Sequence, residues 1–475
     1  MASHNHLHMV FVPLMAHGHM IPLFDIARLF AARGVKATLV TTPANAAAFP
    51  KPDAVEIVIL RFPSAEVGIP EGVENITQLT EIDHTDKFVE ALKLIAEGPL
   101  AELLEERRPS CLVSDMFLPW SADVAARVDI PWVAFHGGGY YAQAVSEVVR
   151  RDRPQWGVES EDDEFDVPGL PGGVRFTRRK LPSAWTEKEG EKSAHTRMVE
   201  AAFETAAERS FGVMMNSFYE LESDYADHYP KFIRGRCWSL GPASLCFRNM
   251  EDKANRGKQA NIDVHECLNW LDSKPPNSVI YVCFGSITHV SSAQLIEIAT
   301  ALEASNQHFI WVVRRPNHDD EEWLPSGFEA RNKGKGLIIR GWAPQVMILD
   351  HVATGGFVTH CGWNSTLEGV SAGVPMVTWP MFAEQFLNEK LATEVLRVGV
   401  SVGADQNCDW LVEEARVRRA EIEAAVRRVM VGEEAEEMRR RAAALKELAW
   451  KAVQEGGSSY NGLTQMLDAL TSIKC

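Results

Sequence analysis

The stretch that decides the fold is residues 355–370, GGFVTHCGWNSTLEGV, in the C-terminal half of the chain. An apolar run ends at His360, and a segment with helical character begins near Asn364. Gly373 and Pro375 mark the end of that helix, because glycine readily adopts the left-handed conformation of a helix end and proline cannot continue a helix. The stretch therefore predicts a buried strand, a tight turn and a helix, which is the repeating unit of an α/β protein.

Similar strand–helix units extend outward from this segment. In the C-terminal half, further strands are predicted at residues 278–286, 308–314, 336–342 and 375–380. In the N-terminal half, strands are predicted at residues 7–14, 35–42, 111–115 and 131–136. A helix is predicted over 22–33, with Pro22 in its first turn and Gly34 ending it. Two doubly wound parallel sheets follow from this alternation, while residues 152–195, rich in Pro, Gly and charge, are predicted as surface loops and short helices.

A charged and polar segment, CFRNMEDKANRGKQANI at 246–262, separates the two halves and is typical of a linker. We expect an N-terminal domain at 1–247, a linker at 248–262 and a C-terminal domain at 263–455. A C-terminal helix within 456–475 is expected to pack back on the N-terminal domain.

Composition limits the class of protein. The chain has 475 residues, of which 46% are hydrophobic, enough for two or three domains with buried cores. Its formal net charge of −17 argues against nucleic acid or an anionic membrane as the partner. The eight cysteines are scattered, which predicts reduced thiols. With no signal-peptide pattern and no apolar run of membrane-spanning length, we expect a cytoplasmic protein. We also expect a monomer, although the sequence does not decide whether the chain dimerises.

A nucleotide site in such a fold needs donors where a strand meets a helix. The sequence has no GxxxxGK[ST] motif and no GxGxxG after a strand, which counts against P-loop and dinucleotide binding. Asn364 and Ser365 are expected in the first helical turn, where free N–H groups and the helix dipole favour a phosphate. Glu368, one turn further along, could accept two ribose hydroxyls. The residues alone leave open whether Asn364 marks an anion site or a simple helix cap.

A candidate base lies near the N-terminus. His17 and His19 fall between the first predicted strand and the helix at Pro22, in a loop expected at the end of that strand. Histidine can take a proton at neutral pH, and Asp115, at the end of another parallel strand, could orient it. The alternative is that both histidines are ordinary solvent-exposed loop residues.

The segment from Trp342 to Gln385 resembles the signature of plant secondary-product UDP-glycosyltransferases. The matching motifs are WAPQ at 342–345, HCGWNSTLE at 360–368 and EQ at 384–385. The resemblance extends along essentially the whole chain, through PLMAHGHMIPLFDIARLF, VSDMFLPW, VCFGS and EGGSSYN, and is closest to the subgroup of triterpenoid, steroid and flavonoid glucosyltransferases. It implies a GT-B fold, in which two Rossmann-like domains face a cleft and the C-terminal one holds most of the UDP-sugar.

The resemblance also implies roles for individual residues. Trp342 should stack on uracil beside Ala343, Gln345 should contact the nucleoside, and Glu368 should hold the ribose hydroxyls. The residues expected to contact the diphosphate are Ser286, His360, Asn364 and Ser365, and those expected to contact the sugar are Trp363, Glu384 and Gln385.

His19 aligns with the family's base and Asp115 with its orienting acid, whereas His17 aligns with neither. The implied reaction is inverting transfer of glucose from UDP-glucose to a hydroxyl of a lipophilic metabolite, a triterpenoid, steroid or flavonoid, giving a β-O-glucoside. The resemblance implies no cofactor and no metal, and glutamine at 385 resembles glucose users. Two alternatives are a C-glucosyltransferase acting on a phenolic ring and a non-catalytic UDP-sugar-binding protein.

The acceptor pocket is the least determined part of the site. Its candidate walls are Phe117, Trp120, Tyr140 and Phe382, each of which could equally be an ordinary core residue. The run HGGGY at 136–140 has three glycines where relatives often carry bulkier residues. If that loop borders the acceptor, we expect a wider pocket or a more mobile loop.

Overall fold

The computed structural model describes residues 6–49, 54–79, 84–246, 253–254, 256–288, 290–314, 323–407 and 416–474. Within these ranges the chain forms a seven-stranded sheet, a six-stranded sheet and one two-stranded hairpin. Both large sheets are parallel throughout and their strands alternate with helices, which confirms the predicted α/β fold with two Rossmann-like domains.

The N-terminal sheet comprises β1 (His8–Val12), β2 (Lys36–Thr41), β3 (Val55–Ile59), β4 (Cys111–Asp115), β5 (Trp132–His136), β8 (Gly212–Met215) and β9 (Arg236–Ser239). Its strand order is β3-β2-β1-β4-β5-β8-β9. The order reverses between β1 and β4, so the chain leaves these two strands in opposite directions and a crevice opens at their carboxyl ends. Strands β4 and β5 are buried along their whole length, as expected for parallel strands covered on both faces.

The C-terminal sheet comprises β10 (Val279–Cys283), β11 (His308–Val313), β12 (Gly336–Arg340), β13 (Thr354–Thr359), β14 (Met376–Thr378) and β15 (Gly399–Ser401). Its order is β12-β11-β10-β13-β14-β15, with the reversal between β10 and β13. The two sheets therefore each provide one crevice at which a ligand can bind.

The α-helices of the N-terminal half are α1 (His17–Ala32), α2 (Pro43–Ala46), α3 (Ser64–Val67), α4 (His84–Ile95), α5 (Ala101–Arg107), α6 (Ser121–Arg127), α7 (Tyr140–Asp152), α8 (Ala194–Arg209) and α9 (Ser223–His228). Those of the C-terminal half are α10 (Val264–Asp272), α11 (Ser292–Ser305), α12 (Phe328–Arg331), α13 (Gln345–Asp350), α14 (Trp363–Ala372), α15 (Gln385–Lys390), α16 (Arg419–Met430), α17 (Ala435–Ala452) and α18 (Ser458–Thr471). No helix in the described part of the chain is both long and apolar enough to cross a bilayer.

Shorter segments complete the fold. Two π-helical turns, Ala96–Leu100 and Leu391–Val395, follow α4 and α15. The 3₁₀ turns are Ile76–Gln78, Pro154–Trp156, Arg178–Lys180, Ser183–Trp185, Tyr219–Leu221, Tyr229–Phe232, Ala243–Leu245 and Ser472–Lys474. The predicted loop region 152–195 also contains the antiparallel hairpin of β6 (Glu164–Asp166) and β7 (Arg175–Thr177). The six cysteines within the described ranges are free thiols, and Cys408 and Cys475 lie outside those ranges.

Helix α1 begins at His17, five residues before the predicted start at Pro22. Pro22 is thus inside the helix, where its missing N–H leaves the carbonyl of Gly18, four residues earlier, without its helical partner. The side-chain Nδ2 of Asn364, from the C-terminal half, donates a hydrogen bond to that carbonyl. The predicted boundary was wrong because a contact between distant segments, invisible to local pattern, supplies the bond that proline removes.

The C-terminal helix α18 packs against β9 of the N-terminal sheet. Its apolar face, formed by Leu463, Met466, Leu467 and Leu470, is buried in the same hydrophobic core as the first strands of the chain. The C-terminal helix therefore contributes to the stability of the N-terminal domain.

Candidate active site

One cleft is lined by both halves of the chain, and it gathers residues that follow the strands at the two sheet reversals. His19 lies after β1, Ser286 after β10 and His360 after β13. The predicted site residues that line this cleft are His19, Ser286, Trp342, Ala343, Gln345, His360, Trp363, Asn364, Ser365, Glu368, Phe382, Glu384 and Gln385. The predicted base and the residues predicted to bind the UDP-sugar thus line one cleft.

His19 and Asp115 form a hydrogen-bonded pair at the bottom of the N-terminal crevice. His19 Nδ1 lies 2.7 Å from Asp115 Oδ2, and the Asp115 side chain is fully buried. The other oxygen, Oδ1, accepts a hydrogen bond from the Phe117 backbone N–H at 3.0 Å. An aspartate fixed in this way orients the imidazole ring and favours the tautomer that carries its proton on Nδ1. His19 sits in the first turn of α1 and not in the loop that the sequence predicts.

The two neighbouring histidines differ in their electrostatics. Burial lowers the pKa of His19, but the charge and hydrogen bond of Asp115 outweigh that effect and raise it above its ordinary value. For His17, burial and then the charges of Lys258 and Arg314 lower the pKa to about 3. His17 packs beside the Trp342 ring, with 5.8 Å between the ring centroids. His17 is therefore a neutral packing residue, and His19 is the one with a carboxylate partner.

The N-terminus of α14 faces the cleft and provides an anion-binding arrangement. Asn364 and Ser365 lie in its first turn, where backbone N–H groups are free of helical partners. His360 is held between two glycines, since a Cβ at Gly285 or Gly362 would lie 2.5 or 2.4 Å from its ring. Burial lowers the pKa of His360 to about 4, so it is a neutral imidazole that retains one N–H donor.

A hydrogen-bonded chain orients the acidic residue of α14. Gln345 Nε2 donates to Glu368 Oε2 at 2.8 Å and to Ser365 Oγ at 3.2 Å. Gln345 Oε1 in turn accepts from the Tyr281 hydroxyl at 3.2 Å. The Glu368 side chain is only 7% exposed, so its carboxylate is presented to the cleft in a fixed orientation.

Two signature residues also connect the domains. Trp363 Nε1 donates to the backbone carbonyl of Asn216 at 2.7 Å, and its ring lies against Gly139. Asn364 donates to the Gly18 carbonyl and accepts from Asn216 Nδ2 at 3.3 Å. The motif that was predicted to contact the donor therefore also fixes the two halves of the cleft relative to each other.

The turn before α15 carries Glu384 and Gln385. Gln385 Oε1 accepts from the backbone N–H groups of Met381 and Phe382, at 2.9 and 3.2 Å. Gln385 lines the cleft, and its amide NH₂ group has no hydrogen-bond partner among the described residues. Burial raises the pKa of Glu384, and backbone hydrogen bonds and the charge of His19 oppose that rise. His19 and Glu384 line the same cleft, so this turn and the base face one space.

The four candidate acceptor residues separate into two pairs. Phe117 lies edge-on to His19, with 5.9 Å between ring centroids, and Phe382 lines the cleft. Tyr140 does not line it: its side chain is buried and its hydroxyl pairs with Ser239 Oγ at 2.7 Å. Trp120 borders a separate small cavity, which residues at the ends of β1 and β2 also line. The expectation for Tyr140 is corrected, because its side chain is buried inside the N-terminal domain. Trp120 is only half-buried, so its part in an acceptor pocket stays a prediction.

Neighbouring side chains lie close to the three glycines of the HGGGY run, where a side chain would otherwise project. A Cβ at Gly137 would lie 3.4 Å from the His19 ring, and one at Gly138 would lie 2.9 Å from Gln143 Nε2. A Cβ at Gly139 would lie 2.5 Å from the Trp363 ring. The expected widening of the pocket is therefore not found at Gly138 and Gly139, where neighbouring side chains occupy the space.

The linker contains site residues that the sequence analysis missed. Asn261 Oδ1 accepts from the Trp342 backbone N–H at 2.6 Å, and its own N–H donates to the Trp342 carbonyl at 2.8 Å. Gly257, at φ +86°, lies against the Trp342 ring. Arg256 bonds to both Asp25 and Glu368. The charged residues and the glycine of this segment could have indicated a site, but a segment poor in apolar residues is also typical of a linker, which is how it was interpreted.

Cationic groups reach the cleft in spite of the acidic composition. Lys253, Arg256 and Arg314 line it, and Arg314 donates to the Ser286 carbonyl. An anionic ligand in this cleft would therefore meet locally placed cations as well as the N-terminus of α14. Within the described ranges, no three His, Cys, Asp or Glu side chains are grouped so that they could hold a metal ion.

Comparison with known proteins agrees with this geometry. The family model described as UDP-glucoronosyl and UDP-glucosyl transferase matches residues 8–434. Scopoletin glucosyltransferase from Nicotiana tabacum is 52% identical, over 98% of this chain and 98% of the relative. UDP-glucose flavonoid 3-O-glucosyltransferase 7 from Fragaria ananassa is 50% identical, over 98% of this chain and 96% of the relative.

A solved structure extends the comparison to the fold. The crystal structure of a Glycyrrhiza uralensis UGT complexed with glycyrrhetinic acid 3-O-monoglucuronide matches with a TM-score of 0.90 and 40% sequence identity. The match covers 98% of this chain and 96% of the other. The chain therefore belongs to the UDP-glucoronosyl and UDP-glucosyl transferase family, with the GT-B fold of the plant UDP-glycosyltransferases.

Proposed function

We propose that this enzyme transfers glucose from UDP-glucose to a hydroxyl group of a lipophilic metabolite, a flavonoid, triterpenoid or steroid, and that the product is a β-O-glucoside. The observation that carries the proposal is the pair of His19 and Asp115, 2.7 Å apart, in the same cleft as the residues of the 342–385 signature. A base beside a nucleotide-sugar site is what glycosyl transfer to a hydroxyl requires.

The proposed reaction is a single displacement. Asp115 accepts the Nδ1–H of His19, so the Nε2 lone pair takes the proton of the acceptor hydroxyl. The acceptor oxygen forms a bond to the anomeric carbon of glucose as the bond from that carbon to the diphosphate oxygen breaks. Because UDP leaves from the face opposite the attack, an α-linked donor gives a β-linked product. Asp115 then stabilises the imidazolium.

We propose that the leaving diphosphate is stabilised by protein groups and needs no metal. The N-terminus of α14 offers backbone N–H groups and the positive end of its dipole. Neutral His360 offers one donor, and Arg314 brings a positive charge beside Ser286. Together these groups favour a charged leaving group in a protein whose overall charge would repel it.

The choice of glucose and of the acceptor class rests on two kinds of support. Relatives at 52% and 50% identity are named as glucosyltransferases for scopoletin and for flavonoids. The amide NH₂ group of Gln385, which has no partner within the described ranges, can donate to a sugar hydroxyl. Phe117 and Phe382 beside His19 offer apolar surface suited to a ring-containing acceptor.

The test is a UDP-release assay with purified enzyme and UDP-glucose across flavonoids, coumarins, triterpenoids and steroids, with mass spectrometry of the products. One added hexose per acceptor, released again by acid, supports O-glucosylation. A product that resists acid is a C-glucoside and contradicts the proposed bond. If the protein binds UDP-glucose but transfers no sugar to any acceptor, from UDP-glucose or from another UDP-sugar, it is a binding protein. If it does not bind UDP-glucose, the proposal is contradicted altogether.

Replacing the base provides a sharper test. His19→Ala should lower glucose transfer by about two to four orders of magnitude, because it removes general-base catalysis, while UDP affinity stays close to that of the wild type. A matched control is His351→Ala, which breaks another His–Asp pair, with Asp272 at 3.1 Å, and neither residue lines the cleft. Transfer by His19→Ala at near the wild-type rate would contradict the assignment.

A further inference from the structure

Glu368 belongs to a buried ion network that spans three parts of the chain. Arg256, in the segment between the domains, donates from Nε to Asp25 Oδ2 at 2.7 Å and from Nη1 to Glu368 Oε1. Asp25 lies on α1 of the N-terminal domain and Glu368 on α14 of the C-terminal domain. All three side chains are nearly buried, with exposed fractions of 14% for Arg256, 3% for Asp25 and 7% for Glu368.

The network uses only part of the hydrogen-bonding capacity of Glu368. An ionised carboxylate has about four acceptor positions, two on each oxygen. Arg256 occupies one position on Oε1, and Gln345 occupies one on Oε2. One acceptor position therefore remains on each oxygen, and Glu368 lines the cleft. Two adjacent acceptors on one rigid carboxylate match two adjacent hydroxyl donors, the arrangement found in a ribose.

We propose that Arg256 is a positioning residue for ribose recognition, which holds Glu368 so that its two remaining acceptor positions meet the 2′- and 3′-hydroxyls of a uridine nucleotide. Asp25 anchors Arg256 from the opposite side, so the residue that orients the ribose carboxylate is tied to the helix that carries His19. This inference rests on the proposed use of a UDP-sugar and adds a residue from the linker to that site.

The chemistry of the network explains why an arginine stands at this position. Its planar guanidinium presents several N–H groups in a fixed fork, so one side chain bonds two carboxylates at set angles, whereas a lysine ammonium is a flexible point charge. Without a cation, Asp25 and Glu368 would be two uncompensated buried carboxylates. Burial already raises the pKa of Asp25, and the charge of Arg256 opposes that rise. Removal of Arg256 should therefore release Glu368 from its orientation.

The experiment compares the affinities of UDP and 2′-deoxy-UDP by isothermal titration calorimetry. Wild-type enzyme should prefer UDP, because only UDP donates both hydroxyls to Glu368. Arg256→Gln should weaken UDP binding about tenfold, as expected for loss of a charge-assisted hydrogen bond, and should weaken 2′-deoxy-UDP binding much less. The ratio of the affinities for UDP and 2′-deoxy-UDP should therefore fall to nearly the ratio of Glu368→Gln, the reference variant that lacks the carboxylate. Arg256→Lys should lose much of the preference while keeping the charge.

Controls separate positioning from a general structural role. Arg331→Gln removes another arginine–carboxylate pair, with Glu303 at 2.7 Å, on an exposed surface, and should leave the UDP preference unchanged. If Arg256→Gln alone does not fold, the double variant with Asp25→Asn relieves the buried negative charge and serves in its place.

Each result has a distinct meaning. Equal weakening of UDP and 2′-deoxy-UDP in Arg256→Gln would overturn the inference and would indicate a direct contact with the phosphates or base. An unchanged preference would also overturn it. If wild-type enzyme binds neither nucleotide, the proposed UDP-sugar function itself fails, so the two failures are distinguishable.

Discussion

His17 and His19 are separated by one residue in α1, yet the pKa values of their imidazoles shift in opposite directions. Burial dominates at His17, and with Lys258 and Arg314 nearby it lowers the pKa to about 3. At His19 the buried carboxylate of Asp115 reverses the effect of burial and raises the pKa. A partner of opposite charge within hydrogen-bond distance, and not the residue type, decides which histidine can accept and hold a proton.

The raised pKa of His19 predicts the pH dependence of transfer. A general base must be neutral, so kcat/KM should fall as the pH falls through the pKa of His19, which lies above its ordinary value of 6.5. Asp115→Asn removes the charge that raises this pKa and leaves burial to lower it, so the acidic limb of the profile should move to lower pH.

The same variant should also be slow at its optimum. Asparagine can donate to Nδ1 and thereby favour the tautomer that carries its proton on Nε2, so kcat should fall about 10³–10⁴-fold. The measurement is a pH–rate profile for wild type and Asp115→Asn with UDP-glucose at saturation. A profile whose acidic limb does not move would show that another group controls it.

At the scale of elements, the N-terminus of α7 is where the C-terminal domain docks. Gly139 precedes the helix, and buried Glu222 accepts from the Tyr141 backbone N–H at 2.7 Å and from Ser217 Oγ at 2.6 Å. Trp363 fills the space beside Gly139. A helix terminus, a buried acid and an aromatic ring from the other domain thus share one small volume, which explains why a residue without a side chain stands there.

Gly139→Ala should disturb this junction. Its Cβ would lie 2.5 Å from the Trp363 ring and 2.8 Å from the Glu222 carboxylate, so one of them must move, at a cost of about 1–3 kcal/mol in the free energy of unfolding. We expect a lower melting temperature and slower transfer. Gly190→Ala, where a Cβ meets nothing within 4 Å, is the matched control. Wild-type stability and turnover in Gly139→Ala would rule out a tight junction.

At the scale of the whole molecule, the linker bonds to both domains, and the C-terminal helix packs back on the N-terminal domain. The linker fastens Trp342 through Asn261 and joins α1 to α14 through Arg256. The last helix, α18, returns to β9 and buries its apolar face in the N-terminal core. The N-terminal domain is therefore completed by a helix that is distant in the sequence, and the linker bonds to both domains.

The packing of α18 on β9 predicts which parts of the molecule a substitution in α18 destabilises. Leu467 is fully buried, so Leu467→Ala should cost about 2–5 kcal/mol in the stability of the N-terminal domain. Hydrogen exchange followed by mass spectrometry should show faster exchange in β9 and α18, with β13 unchanged. Ile473→Ala, at a side chain that is 48% exposed, should change neither. Faster exchange confined to β13 would contradict this packing.

Much of the fold was predictable because it depends on local patterns. Buried parallel strands are apolar runs of characteristic length, so β4 and β5 fall where the sequence predicts them, and the strand–helix alternation predicts two doubly wound sheets. The 342–385 signature was equally accessible, since its residues are contiguous and serve one βα unit and its neighbours. The sequence by itself therefore determined the fold class, the family and most of the residues that line the shared cleft, and their contact with the UDP-sugar stays a prediction.

Only the tertiary structure decided features that depend on contacts between distant segments. The start of α1 at His17 depends on Asn364, which bonds the carbonyl that Pro22 leaves free. The burial of Tyr140 depends on Ser239, and the role of Arg256 depends on two carboxylates more than a hundred residues from it in opposite directions. Hydrogen bonds and ion pairs are short-ranged in space but unrestricted in sequence, so local patterns do not contain them.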